Sequence, residues 1–369
     1  MKSATLRAEN FVFISILRGL AALLVVWSHL SGFWLYSIGE SSGLQNIWEQ
    51  WVTGPFRLLF NGGDMAVIIF FLISGFIITH VSFRETRFAF AVKRIMRIFP
   101  PLFVAILVSY VAYRLALKFN LYLPGIHGEG LWHWIKSLFL LDGFYQKDRA
   151  LNVTWTLVVE IYFYILTWYF LKTTKKSVLK SQWAMTGVWA LLASVTVSVG
   201  FIGQIPNASQ LKMVAFLLIG RGIYLLYSKR ISSFDMIFNS IVVSFIYLLD
   251  TEHSKSGFLL TPGYEPVVGY IIAILIFIGM LRLSPSSLSK PLKFLADISY
   301  SLYLIHLPLG ILALNFLHKR HISNSLSSVI AVVVSIFGAY ILYKAVEKPS
   351  QKYARKIINS SKFKKFSLI

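Results

Sequence analysis

Residues 63–83 have the sequence GDMAVIIFFLISGFIITHVSF, in which Asp64 is the only carboxylate and His80 the only histidine. As an α-helix, this stretch would be about 31 Å long, close to the roughly 30 Å hydrocarbon core of a bilayer. Its apolar residues are continuous and do not alternate with polar ones, as they would in a strand of a membrane barrel. The stretch therefore predicts a membrane-spanning helix.

Similar apolar stretches recur along the whole chain. Of its 369 residues, 56% are hydrophobic and only 14% are charged, whereas soluble proteins contain about 25% charged residues. The mean hydropathy is +0.67. Ten spans are predicted, at residues 11–33, 63–83, 99–117, 153–171, 183–203, 211–227, 234–249, 267–283, 296–317 and 325–346. The predicted fold class is all-α, a polytopic membrane helix bundle with about ten transmembrane helices.

Basic residues are distributed unevenly between alternate loops. With the N-terminus inside, 24 of the 36 Lys and Arg residues fall on the cytoplasmic side and nine on the other. Cytoplasmic loops are enriched in these residues, so both termini are predicted to be cytoplasmic. The net charge of +21 is explained by this orientation, and nucleic acid is not an expected partner. Residues 351–369 are predicted to be a basic cytoplasmic tail near anionic headgroups.

The absence of cysteine limits the chemistry. A chain with no cysteine has no thiol nucleophile, disulfide framework, iron–sulfur cluster or thiolate zinc site. No metal site is predicted. Histidine and carboxylate side chains must carry any catalysis.

Arg18 and His29 share the first predicted span, with ten residues between them. Eleven helical steps turn about 1100° and rise about 16 Å, so both side chains lie on one face. A neutral imidazole can act as a general base, and arginine binds phosphate or carboxylate. Because ionisable groups inside a span are costly, the pair is a candidate site. Alternatively, Arg18 and His29 serve unrelated packing roles.

Three further ionisable residues fall in predicted spans. Asp64 lies near an outer end, where it either orients an imidazole or faces water. Glu160, in WTLVVEIYFY, is in the outer leaflet like His29, and serves acid–base chemistry or pairs with Arg114 or another span. His306, in SYSLYLIHLP, lies mid-membrane. It is either structural or part of the same site as His29.

A basic segment, KRIMRIFPP at residues 93–101, is predicted to be a cytoplasmic loop before the third span. Arg94 and Arg97 either reflect the general excess of basic residues in such loops or bind the phosphates of a nucleotide-like ligand. Ser74 and Gly75 are predicted to form a small-residue helix contact. Glu347 is interpreted as part of a helix stop, without a catalytic role.

The two long outer loops, about 34–62 and 118–152, are rich in tryptophan. These side chains are either interfacial anchors or a surface on which a sugar ring stacks. Residues 131–141 are predicted to form a short amphipathic or re-entrant piece.

Five features occur in the order found in the acyltransferase-3 family of integral membrane O-acyltransferases, which this chain resembles. They are Arg18 followed by His29 after ten residues, GGDMAVIIFFLISGFIIT, KRIMRIFPP, WTLVVEIYFY and SYSLYLIHLP. The resemblance covers about residues 11–349 and implies an acyltransferase domain over residues 1–350. It also implies transfer of an acyl group, usually acetyl, from cytoplasmic acyl-CoA to a hydroxyl of a cell-envelope or exported glycan. The expected type is an O-antigen or exopolysaccharide acetylase of a bacterial-type inner membrane.

The resemblance suggests how the donor is held. Arg94 and Arg97 would bind the phosphates of acetyl-CoA, which is a donor substrate and not a permanently bound cofactor. Arg18 would help to place the pantetheine arm. The other expected partners are a glycan or lipid-linked saccharide acceptor, membrane lipids and, with the oligomeric state left open, a second copy of the chain.

The catalytic roles follow the same hypothesis. His29 would act as general base on a sugar hydroxyl. Glu160 or Asp64 would orient the imidazole or compensate its positive charge. His306 would contribute to the site or donate a hydrogen bond to the developing oxyanion. A covalent acyl-histidine relay is the mechanistic alternative.

The sequence departs from the family pattern at two motifs. Relatives often have a valine–aspartate pair where this chain has Val67 and Ile68, and the nearest acid is Asp64. Glu160 is followed by Ile161 and Tyr162, where the family usually has acidic or polar residues. About 20 residues follow the last span, so the extracytoplasmic domain fused to some relatives is not expected.

Two other classes of protein are alternatives to an acyltransferase. A transporter or proton-coupled channel also uses buried Arg, His and Glu, but it predicts internal repeat symmetry, which this sequence lacks. A scaffold subunit predicts that His29→Ala leaves pathway activity intact.

Overall fold

The computed structural model describes residues 11–128, 130–142, 149–200, 208–253 and 267–360. Every regular element in these ranges is a helix. The ten apolar helices in this part of the chain are α1 (Val12–Trp27), α2 (Gly63–Ser82), α3 (Arg87–Phe119), α4 (Trp155–Tyr169), α5 (Val178–Gly200), α6 (Val214–Tyr227), α7 (Ser233–His253), α8 (Val267–Leu283), α9 (Lys290–Lys319) and α10 (Asn324–Leu342).

Six segments of the described chain are long and apolar enough to cross a membrane. They are Val12–Ser37, Leu59–Ser82, Arg87–Phe119, Gln210–Tyr227, Lys290–Lys319 and Asn324–Asn359. Ser233–Leu249 and Val267–Leu283 are shorter apolar helices. The chain is therefore a multi-pass helical membrane protein, which confirms the predicted fold class. Each of the ten predicted spans overlaps one of the helices α1–α10, and ten crossings remain a prediction.

The basic segment at residues 93–101 is helical, and its prediction as a loop was wrong. α3 begins at Arg87, and the Thr86 side chain accepts a hydrogen bond from the Ala89 amide at 3.2 Å. Pro100 and Pro101 lie inside the helix. Proline in a helix interior removes a backbone hydrogen bond, which is why a boundary was expected there. A membrane helix can tolerate such a break because neighbouring helices and side chains satisfy the freed backbone groups.

At one end of the bundle, the connections that follow α2 and α4 meet. Arg87 donates a hydrogen bond to the Tyr169 carbonyl at 2.6 Å, and Lys175 donates to the Glu85 carbonyl at 2.7 Å. We call this the basic end. The distribution of Lys and Arg predicts that it faces the cytoplasm.

At the opposite end, which we call the distal end, the connections that follow α1, α3 and α9 meet. Asn324 donates to the Glu40 carboxylate at 2.7 Å. Asn315 donates to the Tyr122 carbonyl, also at 2.7 Å. The predicted short helical piece in this region is confirmed as Leu131–Leu138.

α2 and α6 pack closely because α2 has glycine at position 75. A Cβ atom at Gly75 would collide with the backbone of Leu217. The predicted small-residue contact is therefore confirmed for Gly75, whereas Ser74 bonds to Glu160 in α4. Small residues allow helix backbones to approach in membranes.

Two of the helices change pitch near an end. α1 continues as a π-helix at Ser28–Phe33, and α10 continues as a π-helix at Tyr343–Glu347. A helix at Lys348–Asn359 follows the second π-helix and packs against α3, with Ala354 buried. The predicted tail, residues 351–369, is thus helical as far as Asn359, and residues 361–369 lie outside the described ranges.

Candidate active site

His29 lies in the π-helix that continues α1, and π-bulges are frequent at functional sites. Its Nδ1 atom is 2.9 Å from the Val25 carbonyl oxygen and 3.3 Å from Nε2 of His306. Nδ1 of His306 is 2.9 Å from the Tyr303 carbonyl oxygen and 3.1 Å from that of Leu302. The two rings therefore form a chain anchored on backbone carbonyls.

These contacts favour one arrangement of the ring protons. A carbonyl oxygen only accepts hydrogen bonds, so Nδ1 carries the proton in both neutral rings. Nε2 of His306 is then the acceptor that faces the Nδ1–H of His29. The Nε2 atom of His29 keeps its lone pair, as a general base requires.

His29 lines a cavity at the distal end that is partly open to the surroundings. We call it the His29 cavity, and its other lining residues are Ser28, Phe33, Phe60, Gly63, Asp64, Val67, Asn152, Val153, Trp155 and Tyr303. Asp64 is in the first turn of α2. Its Oδ2 atom is buried and accepts no hydrogen bond from the described residues. The structure thus brings the predicted base and a free carboxylate oxygen to one cavity.

The segment before α2 fixes Asp64 relative to His29. Ser28 donates a hydrogen bond to the Phe60 carbonyl at 2.5 Å. Phe60 and Asn61 have positive φ angles of 44° and 53°. A Cβ atom at Gly63 would collide with the Ser28 hydroxyl. Only glycine therefore lets α2 begin this close to the π-helix.

Another loop of the distal end supplies Asn152. Its backbone amide donates a hydrogen bond to the Gly125 carbonyl at 2.8 Å. The Ala150 amide donates to the Asp142 carboxylate at 3.2 Å. Burial lowers the pKa of Arg149, and the negative charge of Asp142 opposes this effect. The loop is thus held by backbone and charge contacts beside the cavity.

A second cavity, also partly open, lies nearer the basic end. We call it the guanidinium cavity, and it is lined by Arg18, Val67, Phe70, Phe71, Ile73, Ser74, Arg97, Thr156, Leu157, Glu160, Ser299, Tyr300 and Tyr303. The Arg97 guanidinium lies 5.6 Å from the centre of the Tyr300 ring. Arg18 and Arg97 therefore line one cavity, although 79 positions separate them in the sequence.

Glu160 belongs to this second cavity and does not line the His29 cavity. It accepts hydrogen bonds from Ser74 and, at 3.1 Å, from the Tyr164 hydroxyl. Its carboxylate interacts electrostatically with Arg18 and Arg97. Glu160 thus shares a cavity and a charge interaction with the two guanidinium groups, while its hydrogen bonds go to the two hydroxyl groups. Arg114, the other partner considered, donates instead to the Tyr110 hydroxyl.

Glu347 is a second acid of this region, and sequence reasoning missed it. The side chain is buried and accepts hydrogen bonds from Ser301 at 2.6 Å and Gln351 at 3.1 Å. It interacts electrostatically with Arg18 and Arg97. One signal was available in the sequence, since Glu347 is the only acid among residues 343–369.

Arg94 does not line the guanidinium cavity. It forms an ion pair with Glu85 at 3.5 Å and lies 5.1 and 5.7 Å from the ring centres of Phe90 and Tyr164. Glu85 also binds Lys93 at 2.7 Å. Of the two predicted phosphate ligands, Arg97 faces the guanidinium cavity and Arg94 faces a carboxylate and aromatic rings.

Val67 and Tyr303 line both cavities. The Tyr303 hydroxyl donates to the Val153 carbonyl at 3.0 Å and accepts from the Thr156 hydroxyl at 2.9 Å. The two cavities are therefore adjacent, and these two residues line both of them. Within the described residues, no three His, Asp or Glu side chains meet as a metal site.

The five tryptophans of the distal connections differ in exposure. Trp34 and Trp134 are buried, Trp48 is partly buried, and Trp51 and Trp132 are about 70% exposed. The last two are the most accessible to a membrane interface or a sugar.

Comparison with known proteins gives the class. A family model described as an acyltransferase domain, of the acyltransferase-3 type, matches residues 11–344. The chain therefore belongs to the acyltransferase-3 family and is a membrane O-acyltransferase. Family membership also favours an enzyme over a transporter or a scaffold subunit.

Two curated relatives illustrate this class. Nodulation protein 10 of Rhizobium leguminosarum bv. viciae is 29% identical, over 79% of this chain and 81% of its own. The O-acetyl transferase of Shigella phage Sf6 is 23% identical, over 78% of this chain and 85% of its own. No solved structure matches the chain.

Proposed function

We propose that this enzyme transfers an acetyl group from cytoplasmic acetyl-CoA to a hydroxyl of a cell-envelope or exported glycan, across a bacterial-type inner membrane. The observation that carries the proposal is the pair of adjacent cavities. One offers two guanidinium groups, and the other offers an imidazole with a free lone pair beside a carboxylate. A relative named as an O-acetyl transferase supports acetyl as the group transferred.

The donor enters from the basic end. Arg97 and Arg18 bind its anionic groups, because a guanidinium forms strong charge-assisted hydrogen bonds with phosphate. Glu160 and Glu347 balance the two positive charges until the donor arrives. Arg94 contributes less to binding because Glu85 already pairs with it.

The reaction takes place at the His29 cavity. The acceptor hydroxyl attacks the thioester carbonyl carbon while Nε2 of His29 takes the hydroxyl proton. The carbon–sulfur bond breaks, and the CoA thiolate leaves with the proton from the imidazolium. Asp64 stabilises the imidazolium, and His306 holds the ring in the tautomer that keeps Nε2 basic.

In the covalent alternative, the same Nε2 atom attacks the thioester itself and the acceptor hydroxyl then attacks the acyl-imidazole. Exposure to labelled donor without acceptor distinguishes the two routes. Label that stays on wild-type protein after rapid quenching, and is absent from His29→Ala protein, supports the relay. Its absence from both supports direct transfer.

The main experiment uses membranes of the native host, in which the chromosomal copy is replaced by the wild-type or a variant gene at matched expression. These membranes supply the natural acceptor. They are incubated with acetyl-labelled acetyl-CoA, and label is counted in the extracted glycan. We expect label with wild type, none with His29→Ala, and the wild-type amount with His318→Ala, a surface histidine at the distal end. Equal labelling with wild type and His29→Ala contradicts the proposal.

A further inference from the structure

We infer that Val67 and Tyr303 form a wall that sets the size of the acyl group this enzyme transfers. The inference rests on the proposed function, because it concerns the path of a thioester donor from the guanidinium cavity to His29. These are the two side chains shared by both cavity linings. An acyl group delivered from one cavity to the other must fit between them.

Tyr303 is the fixed side of the wall. Its hydroxyl makes two hydrogen bonds to the segment that opens α4, one to the Val153 carbonyl and one from Thr156. Its ring packs against Phe70 and His306, with ring centres 6.1 Å away in both cases. The side chain is buried. Moving it would break both hydrogen bonds and disturb the ring beside His29.

Val67 is the side of the wall that determines the opening. It lies one turn after Asp64 on α2, is half-buried, and lines both cavities. A β-branched residue in a helix has one strongly preferred rotamer. The valine therefore cannot swing aside as a longer, flexible side chain would. Its two methyl groups therefore limit the space available where the two cavities meet.

The position of the wall limits the length of the acyl group that can reach His29. The thioester carbonyl must reach the imidazole, so the carbons beyond it must be accommodated at or past the wall. One extra methylene in a closely fitting apolar pocket changes specificity by about 10–200-fold. A rigid wall thus favours acetyl over longer acyl groups without any contact that recognises acetyl itself.

The test compares acetyl-CoA and propionyl-CoA, both labelled in the acyl group, in the native host membranes described above. The quantity measured is the ratio of kcat/KM for propionyl transfer to kcat/KM for acetyl transfer. We expect Val67→Ala to raise this ratio about tenfold, since it opens space for one methylene. Val67→Leu fills the space and is expected to lower the ratio by a similar factor.

Val81→Ala is the matched control. It makes the same substitution on the same helix, about 21 Å further along, at a residue that lines neither cavity. This variant should keep the wild-type ratio. The two kcat/KM values of each ratio come from the same variant, so a smaller amount of folded protein lowers both equally and leaves the ratio unchanged.

Two failures can be told apart. If wild type transfers acetyl in a His29-dependent way and Val67→Ala leaves the ratio unchanged, the wall does not select the acyl group and the proposed function stands. If wild type transfers label from neither donor to its native glycan, both the proposed function and the inference are overturned.

Discussion

Nε2 of His306 lies 3.3 Å from Nδ1 of His29, although 277 positions separate the two residues in the sequence. The contact joins the π-helix after α1 to the middle of α9. Through this contact His306 acts as a positioning residue, which fixes the ring of the base without lining the cavity where the reaction takes place.

His306→Ala should reduce kcat for acetyl transfer about 10- to 100-fold and leave the KM for acetyl-CoA near the wild-type value. The reason is that the base remains but its ring is no longer held, and the base itself contributes about 100- to 10,000-fold. Kinetics in native host membranes measure both constants. A similar loss with His318→Ala would contradict the assignment, as would full activity of His306→Ala.

Arg97→Gln should raise the KM for acetyl-CoA about tenfold or more, whereas Arg94→Gln should raise it less than threefold. A hydrogen bond to a charged group contributes about 1.5–3 kcal/mol. Arg97 lines the guanidinium cavity, whereas Arg94 does not. The two variants remove the same charge three positions apart in α3. Equal effects on KM would show that the distinction between them is wrong.

Glu347→Gln should destabilise the protein by about 2–4 kcal/mol, because it leaves the buried charges of Arg18 and Arg97 less compensated. Thermal unfolding of the purified protein in detergent measures the effect. Glu40→Gln is the control, since Glu40 is about 40% exposed at the distal end. If Glu347→Gln unfolds at the same temperature as wild type, the carboxylate does not balance these charges.

Gly75→Ala should destabilise the protein by about 1–3 kcal/mol, the usual cost of forcing an extra carbon into a packed contact. Its Cβ atom would collide with the Leu217 backbone, which cannot move without separating α2 from α6. Gly187→Ala, where a Cβ atom meets nothing within 4 Å, should be neutral or slightly stabilising. The same unfolding assay compares the two.

Helical periodicity and hydropathy predicted much of this architecture. The ten-residue spacing of Arg18 and His29 indicated one face of one helix, and the apolar runs located every long helix. The tertiary partners were not predictable in the same way. Glu160 was placed by depth near His29, yet it lines the cavity of Arg18 and Arg97, because depth alone says nothing about rotation around the helix axis.

Local rules also misled in two places. The dipeptide Pro100–Pro101 indicated a helix boundary, but the helix passes through it. Glu347 precedes Lys348 and Pro349, a combination typical of a helix end, so its burial beside two guanidinium groups was not expected. In both cases packing between distant helices overrides the local preference.

The wall formed by Val67 and Tyr303 has a consequence for the cell as well as for the substrate. A membrane that stores an ion gradient loses energy through any continuous water-filled passage, and a route lined with charged side chains would conduct ions. Under the proposed function, the acyl group passes from one cavity to the other between a valine and a tyrosine, two side chains without formal charge, so this step of its path offers no charged group to a permeating ion.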